Sequence, residues 1–513
     1  MGASPHPDRL RRGLTLGCSV AGAMIVALDG TVLTVVQPAL QRDLDASFAQ
    51  VQWTSTGYLI AVASLLVFAG RLGDRYGHRR IFAVGTIGFA LASAGIGLAS
   101  GVGWVIALRV VQGVCGALLQ PATLGMLRAA FPPDRLAMPI ALRTSAIGLA
   151  AATGPLLGGA LATHLGWRAV FFLNVVPALA IGVLALAVRV PAPHRAGPAP
   201  RLDLPGAVLL AVTLACLVQA LVGVAEGGPT AVTVAGLVVA AVAGGVLVRH
   251  ERRTTGPLVP PGLLGSAAVG PALCVLLAAS AAMFGALFVS TYFLQDVLGL
   301  DPLDSAVRAL PLAVMMVVAA PMAAVLLRTH GPRRTVTAAM AVLTAGVFVL
   351  SRLGPDPSAV AVGGGFLLVG AGFGTVMVAA TAVVVRHAPV GDAGVAGGLQ
   401  QTAMNVGPAL GVALATALMT FLAPAAARPG ATAPHWSDGD FVAAMGPTLT
   451  VLAVVAACGA LVAARLPRRT AVATELSEPT GADAPSPVSA APTPPSAGSV
   501  PPARPAPGRP GAG

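Results

Sequence analysis

Apolar runs about twenty residues long, separated by short arginine-bearing stretches, recur from Leu14 to Ala464. A helix rises about 1.5 Å per residue, so a run of about 20 residues spans the hydrocarbon core of a bilayer. In lipid the backbone N–H and C=O groups have to be satisfied within the membrane, which leaves helices or closed barrels. A barrel strand would alternate apolar and polar positions over about 10 residues. These runs do not alternate, so they read as helices. Fourteen of them can be marked: 14–36, 54–70, 81–100, 103–127, 139–162, 168–189, 204–224, 230–248, 268–291, 306–327, 334–352, 359–385, 398–422 and 442–464. Composition points the same way, since only 10% of the residues are charged and the mean hydropathy is +0.83. A soluble domain carries about 25% charged residues.

The arginines test the count. With the N-terminus placed in the cytoplasm, cytoplasmic connections hold Arg71, Arg75, Arg79 and Arg80; Arg128 and Arg135; Arg189, Arg195 and Arg201; Arg249, Arg252 and Arg253; Arg328, Arg333 and Arg334; and Arg386. The C-terminal end adds Arg465, Arg468 and Arg469, while the opposite side holds Arg42, Arg168, Arg308, Arg352 and Arg428 and most of the loop acids. This is the positive-inside pattern, and it predicts that both termini are cytoplasmic. The chain then divides into a cytoplasmic N-terminus (1–13), a six-helix bundle (14–189), two additional spans (204–248), a second six-helix bundle (268–464) and a Pro/Ala/Ser-rich tail (467–513) expected to be disordered. The net charge of +12 is spread between the apolar runs and does not gather into the stripe a nucleic-acid binder needs. The five cysteines lie singly inside apolar runs, so neither a metal site nor a disulfide framework is expected.

One connection is unlike the others. Residues 70–80 read GRLGDRYGHRR. A topological anchor would explain the arginines, but not Gly70, Gly73 and Gly77, nor Asp74 among the cations. The glycines permit a tight turn and close backbone approach. Odd-numbered spans start on the same side, so their positive dipole ends face Asp74.

The stretch resembles the signature loop of the major facilitator superfamily, G-x-L-x-D-R-x-G-R-R/K, with His78 where that pattern often has a basic residue. Further stretches resemble the family's fourteen-span drug:proton antiporter branch: LDGTVLTVVQPAL (28–40), RVVQG (109–113), GPLLGG (154–159), WRAVFFLNVVP (167–177), QDVLGLDPLDSAVRALPLA (295–313), a degenerate second signature loop RTHGPRR (328–334), and GGLQQTAMNVGPALGVAL (397–414). Thr34 and Gln37 depart from the branch's pattern. The resemblance covers residues 14–465 and implies two pseudo-symmetric six-helix bundles with two extra helices between them. It also implies that Gly70, Gly73, Asp74, Arg75, Gly77, Arg79 and Arg80 form a conformational latch, with its partner near Gly397 and Gly398. Gly154, Pro155, Gly158 and Gly159 match the antiport motif; read from the residues alone, Gly154 and Gly158 mean close helix packing and Pro155 a bend.

Ionisable groups inside a span cost about 2.5–3.5 kcal/mol or more and are functional candidates by default. Asp29 is the only acid well inside a span, about 22 Å along its helix from Leu14. A carboxylate in such a site can carry a proton near neutral pH. For Arg109 two readings stand: a partner that tunes the proton site, as the resemblance implies, or a side chain that snorkels to the interface. Arg143 is expected to snorkel. Asp203 and Glu226 sit at span ends. Thr34, Gln37, Gln112, Gln219, Gln400, Gln401 and Asn405 are candidates for lining a cavity.

The expected function is proton-driven export of a hydrophobic drug or antibiotic across the cell membrane by alternating access, without enzymatic chemistry, cofactor or nucleic acid. A P-loop needs a Lys, and the chain has none, so an ion gradient is the expected drive. With one deep acid, the substrate is expected to be neutral or a monovalent cation, and the protein a monomer in the bilayer. Alternatives are an importer or facilitator of a small metabolite, or a transport-inactive receptor.

Overall fold

Apolar runs of this length fold as long helices, several of them with a proline inside, and the computed structural model is built of them. It describes residues 6–46, 48–187, 202–227, 230–254, 257–300, 302–422 and 438–467. The tail beyond 467 and Arg189, Arg195, Arg201 and Arg428 lie outside the described residues. No strand occurs among the described residues.

The helices are α1 (His6–Asp43), α2 (Phe48–Tyr76), α3 (His78–Gly97), α4 (Val102–Ala130), α5 (Ala137–Leu165), α6 (Trp167–Ala187), α7 (Leu204–Gly227), α8 (Ala231–Glu251), the short α9 (Pro261–Leu264), α10 (Val269–Tyr292), α11 (Pro302–Leu350), α12 (Ala359–His387), α13 (Ala393–Leu422) and α14 (Asp438–Ala463). Among the described residues, twelve candidate spans are long and apolar enough to cross a bilayer. One of them, 47 residues long, belongs to α11, which breaks at Gly331 (φ 78°, ψ 170°). α5, with 29 residues, is not among the twelve. Gly331 lies in the degenerate loop RTHGPRR and matches Gly77 (φ 94°) in the signature loop. The two halves thus turn on a left-handed glycine at corresponding places, a conformation that costs glycine little and other residues more.

Packing is inverted relative to a water-soluble protein. Leu98 and Val360 are 77% and 83% exposed, while Arg109 and Arg143 are 1% and 2% exposed. Lipid accepts the outer leucines and valines, and the polar groups gather inside, where they can be paired.

In the first half, Phe82, Phe89 and Leu119 anchor one apolar cluster, and Val36, Phe171 and Trp167 another. The second half has a single larger core around Leu343, Phe366 and Leu449. The halves meet through α2 with α13, α4 with α13, and α5 with α11. α7 lies along this seam, where Leu214 and Val218 pack with Ala63 of α2 and Val406 of α13.

Candidate functional site

Three features lie on or near the seam: a buried polar network, a cavity and a latch. The network is centred on Asp29, which is 3% exposed. Arg109 Nη1 donates to Asp29 Oδ2 at 2.6 Å and to Gln112 Oε1 at 2.7 Å. Gln112 Nε2 donates to Asp29 Oδ1 (3.1 Å) and to Ser93 Oγ (2.8 Å). Asn174 Nδ2 also donates to Asp29 Oδ1, at 3.3 Å. Arg109 Nε donates to the Thr54 carbonyl at 3.1 Å, and the guanidinium lies 4.3 Å over the Tyr58 ring. Five helices, α1, α2, α3, α4 and α6, therefore converge on one carboxylate. Arg109 does not snorkel, because its charge is answered inside the bundle.

Gly154 and Gly158 let α5 approach α1 next to this network. A Cβ at Gly154 would collide with Thr31, and one at Gly158 would lie 2.8 Å from Val32 Cγ1. Gly159 follows on the same helix, and the side chains of Pro155 and Thr34 lie outside the described residues.

A cavity of about 590 Å³ sits between the halves. Its walls are mostly apolar, among them Val26, Ile147, Phe284 and Met377. Gln401 and Asn405 line it, joined by Gln120, Tyr58 and Arg143. Among the described residues, the other candidates do not. Gln112 belongs to the Asp29 network, and Gln37 Nε2 donates to Ser55 Oγ at 2.9 Å, tying α1 to α2. Gln219 and Gln400 lie away from the cavity lining with amide atoms buried and unpartnered. Arg143 is a correction as well. It does not snorkel: it is buried, with Nε donating to Thr123 Oγ1 at 3.1 Å, because Leu136, Ile140, Ala320 and Val385 pack an apolar plug between α5 and the second half.

On the signature-loop side of the cavity the two halves are in contact. Gln401 Nε2 donates to Gln120 Oε1 across the seam. About two turns nearer the signature loop, Asp74 accepts from Gly394 N at 2.7 Å and Val395 N at 3.1 Å, where α13 begins. A carboxylate there meets unpaired N–H groups and the positive end of the helix dipole. The partner lies three residues before the expected Gly397 and Gly398, although those two also touch the first half, at Pro121 and Leu66. The close approach comes from Gly70 and Gly394: a Cβ on either would fall on the other's carbonyl oxygen. Gly73 leaves room for the His78 ring, whose Nε2 lies 3.3 Å from Asp74 Oδ1.

The cations of the loop divide differently from expectation. Arg79 Nη1 donates to the Leu186 carbonyl inside the first half, Arg80 is exposed, and Arg75 lies over Tyr76. Arg71 crosses the seam. Its Nη1 meets Asp392 Oδ1 at 2.7 Å, and its Nη2 donates to the carbonyls of Pro257 and Leu258 at 2.9 and 3.1 Å. Glu251 accepts from Leu258 N and Val259 N, so the same segment is pinned to the end of α8. Asp203, expected at a water-accessible span end, is buried and bonds His250 Nε2 at 2.9 Å.

At the other end of α1, Trp167 Nε1 and Arg168 Nη1 both donate to Asp43 Oδ2, at 3.0 and 2.5 Å. The Trp167 hydrogen bond, then that of Arg168, holds the Asp43 carboxyl below its ordinary value.

Comparison with known proteins agrees with this geometry. Residues 20–412 match the model of the Major Facilitator Superfamily. The chain is 42% identical over 433 residues to the tetracenomycin C resistance and export protein of Streptomyces glaucescens, covering 83% of this chain and 78% of that one. It is 34% identical to the puromycin resistance protein of Streptomyces alboniger, covering 85% of each. The crystal structure of the human organic anion transporter MFSD10 superposes with a TM-score of 0.64 at 14% identity, over 88% of this chain and 99% of that one. The chain belongs to the major facilitator superfamily, as a multi-pass membrane protein of the drug- and antibiotic-exporter type.

Proposed function

We propose that this chain exports a small hydrophobic drug or antibiotic from the cell in exchange for incoming protons. The observation that carries the reading is the buried Asp29–Arg109 pair beside the apolar cavity. Gly30 and Tyr58 line that cavity, and Tyr58 also carries the Arg109 guanidinium on its ring. The Asp29 carboxylate holds Arg109 in a direct ion pair. Protonation removes that charge and frees Arg109 to shift against Tyr58, which is how occupancy of the proton site reaches the cavity wall. Export by alternating access then needs the latch side to open, and the clamps at Asp74 and Arg71 are what must break. Cavity, ion pair and latch all lie within one chain, which supports a monomer as the working unit.

In the sequence, Asp29 stood as a lone acid and suggested a neutral or monocationic substrate. In the structure Arg109 already answers that charge, so the lining of the cavity governs substrate charge instead.

The test is accumulation of a panel of lipophilic antibiotics by everted vesicles, with and without an imposed pH gradient. Gradient-dependent uptake that a protonophore abolishes is the expected result. Uptake indifferent to the gradient would leave a facilitator.

The reading also fixes orientation. Dividing α11 at Gly331 and adding α5 to the twelve candidates makes fourteen spans, with the latch in the cytoplasm. Reporter fusions after Arg80 and Arg334 should both read cytoplasmic, and a fusion after Gly228 should read external. A cytoplasmic signal at Gly228 would overturn the count.

A further inference from the structure

The cavity holds one formal charge among its lining residues, and that charge is positive. Arg143 lines the wall at 2% exposure, and no acid does. Its Nε–H goes to Thr123 Oγ1 at 3.1 Å. Among the described residues this is its one hydrogen bond, and no carboxylate pairs with it, so the terminal nitrogens of the fork have no protein acceptor. Arg109 is buried to the same degree, yet it has Asp29, Gln112, the Thr54 carbonyl and the Tyr58 ring. A buried charge without a partner is costly, and a binding site is where a ligand can supply the missing one.

The surroundings of Arg143 fit a charged head group. Gln120 and Gln401 join each other across the seam, and Asn405 Nδ2 donates to the Gln401 carbonyl at 2.8 Å. These amides and Arg143 make one polar end of the cavity, on the latch side. The rest is hydrocarbon, sulfur and aromatic ring, with Phe284, Met377 and Met404 among it. A guanidinium fork matches a planar acidic group with two parallel hydrogen bonds.

We infer that the substrate class of this cavity is a hydrophobic monoanion, an apolar or aromatic body whose carboxylate or comparably acidic oxygen pairs with Arg143. The inference rests on the exporter reading for the use of the site, but not for the charge preference itself. Exchange of such an anion for an incoming proton would move charge in the same direction on both legs, so an inside-negative potential would drive both.

The test is binding to the purified full chain in lipid nanodiscs, by equilibrium dialysis with empty nanodiscs subtracted. Three probes share one body: anthraquinone-2-carboxylate, anthraquinone-2-carboxamide and 2-(aminomethyl)anthraquinone. The wild type should hold the carboxylate at least about tenfold more tightly than the carboxamide, or about 1.4 kcal/mol, and the amine no more tightly than the carboxamide. Arg143→Gln should bring the carboxylate-to-carboxamide ratio near one, the ratio being read within the variant itself. Arg143→Lys should restore part of the ratio. An unchanged ratio in Arg143→Gln, a wild-type preference for the amine, or no saturable carboxylate binding by the wild type would overturn the inference. If Arg143→Gln does not fold, the wild-type ratio and its reduction in Arg143→Lys decide, and a lysine variant with the full ratio counts against the fork. The exporter reading fails separately: a carboxylate preference that Arg143 controls, without gradient-driven uptake of any probe by everted vesicles, would sink export and leave this inference standing. Gradient-driven uptake with no carboxylate preference would do the reverse.

Discussion

Asp29→Asn abolishes proton-driven accumulation while leaving substrate binding in place. The amide keeps the size of the side chain and can still accept from Arg109, but it cannot carry a proton. Drug-induced proton release from the purified protein should fall from the wild-type level to baseline. Stability should fall with it, because the change leaves Arg109 as a buried charge without a counter-ion; breaking a buried pair costs about 3–5 kcal/mol. The second substitution separates the two effects. Asp29→Asn combined with Arg109→Gln removes the stranded charge, so thermal melting should recover toward wild type while proton release stays absent. Non-additive stability between the two substitutions is the signature of two groups in direct contact. Proton release from Asp29→Asn equal to wild type would move the proton site elsewhere, with Asp203 the next buried acid to test.

How far this site could be read in one dimension depended on residue type. Asp29 and Arg109 stood out because a charge in an apolar run is rare and expensive. Asn174, Ser93, Thr54 and Tyr58 carry no such signal. Small polar and aromatic residues are common inside spans, and only packing of α2, α3 and α6 onto α1 and α4 turned these four toward the same point. Arg143 was misread for a related reason. Its place about two turns into α5 suggested an easy reach to water, but depth along one helix does not show what the neighbouring helices cover. The plug contributed by α4, α11 and α12 closes that route and leaves the guanidinium facing the cavity. In the loop 70–80, the glycines and Asp74 stood out through the resemblance to the signature loop. The contact of Arg71 across the seam was not legible, since Asp392 is 321 residues from Arg71 in the chain. The fourteen-span reading used hydropathy and arginine placement together; twelve of the described helices are long and apolar enough to cross, and the longest, α11, breaks at Gly331 within the charged stretch RTHGPRR.

Gly70→Ala and Gly394→Ala should each prevent the latch side from closing as it does here. Alanine adds a single methyl group, and at either position that methyl would occupy the space of the opposite carbonyl oxygen. Backbone on both sides is helical and cannot yield locally, so α2 and α13 have to separate. Separation lengthens the bonds from Gly394 N and Val395 N to Asp74 and pulls Arg71 away from Asp392. Asp74→Asn makes a graded comparison, because it keeps the backbone contact and weakens only the charge. Hydrogen bonds to a charged group contribute about 1.5–3 kcal/mol each, so losing the charge should shift the closed population by about tenfold or more. The readout is the distance between spin labels at Tyr76→Cys on α2 and Arg386→Cys on α12, both exposed and on opposite halves, in a background without the five native cysteines. The wild type should show a short distance that dominates. Asp74→Asn should show a mixture, and the two alanine variants the long distance alone, with drug transport falling in the same order. A short distance that persists in Gly70→Ala would mean that the helices repack around the methyl group, and the glycine contact would then not be what holds the latch shut.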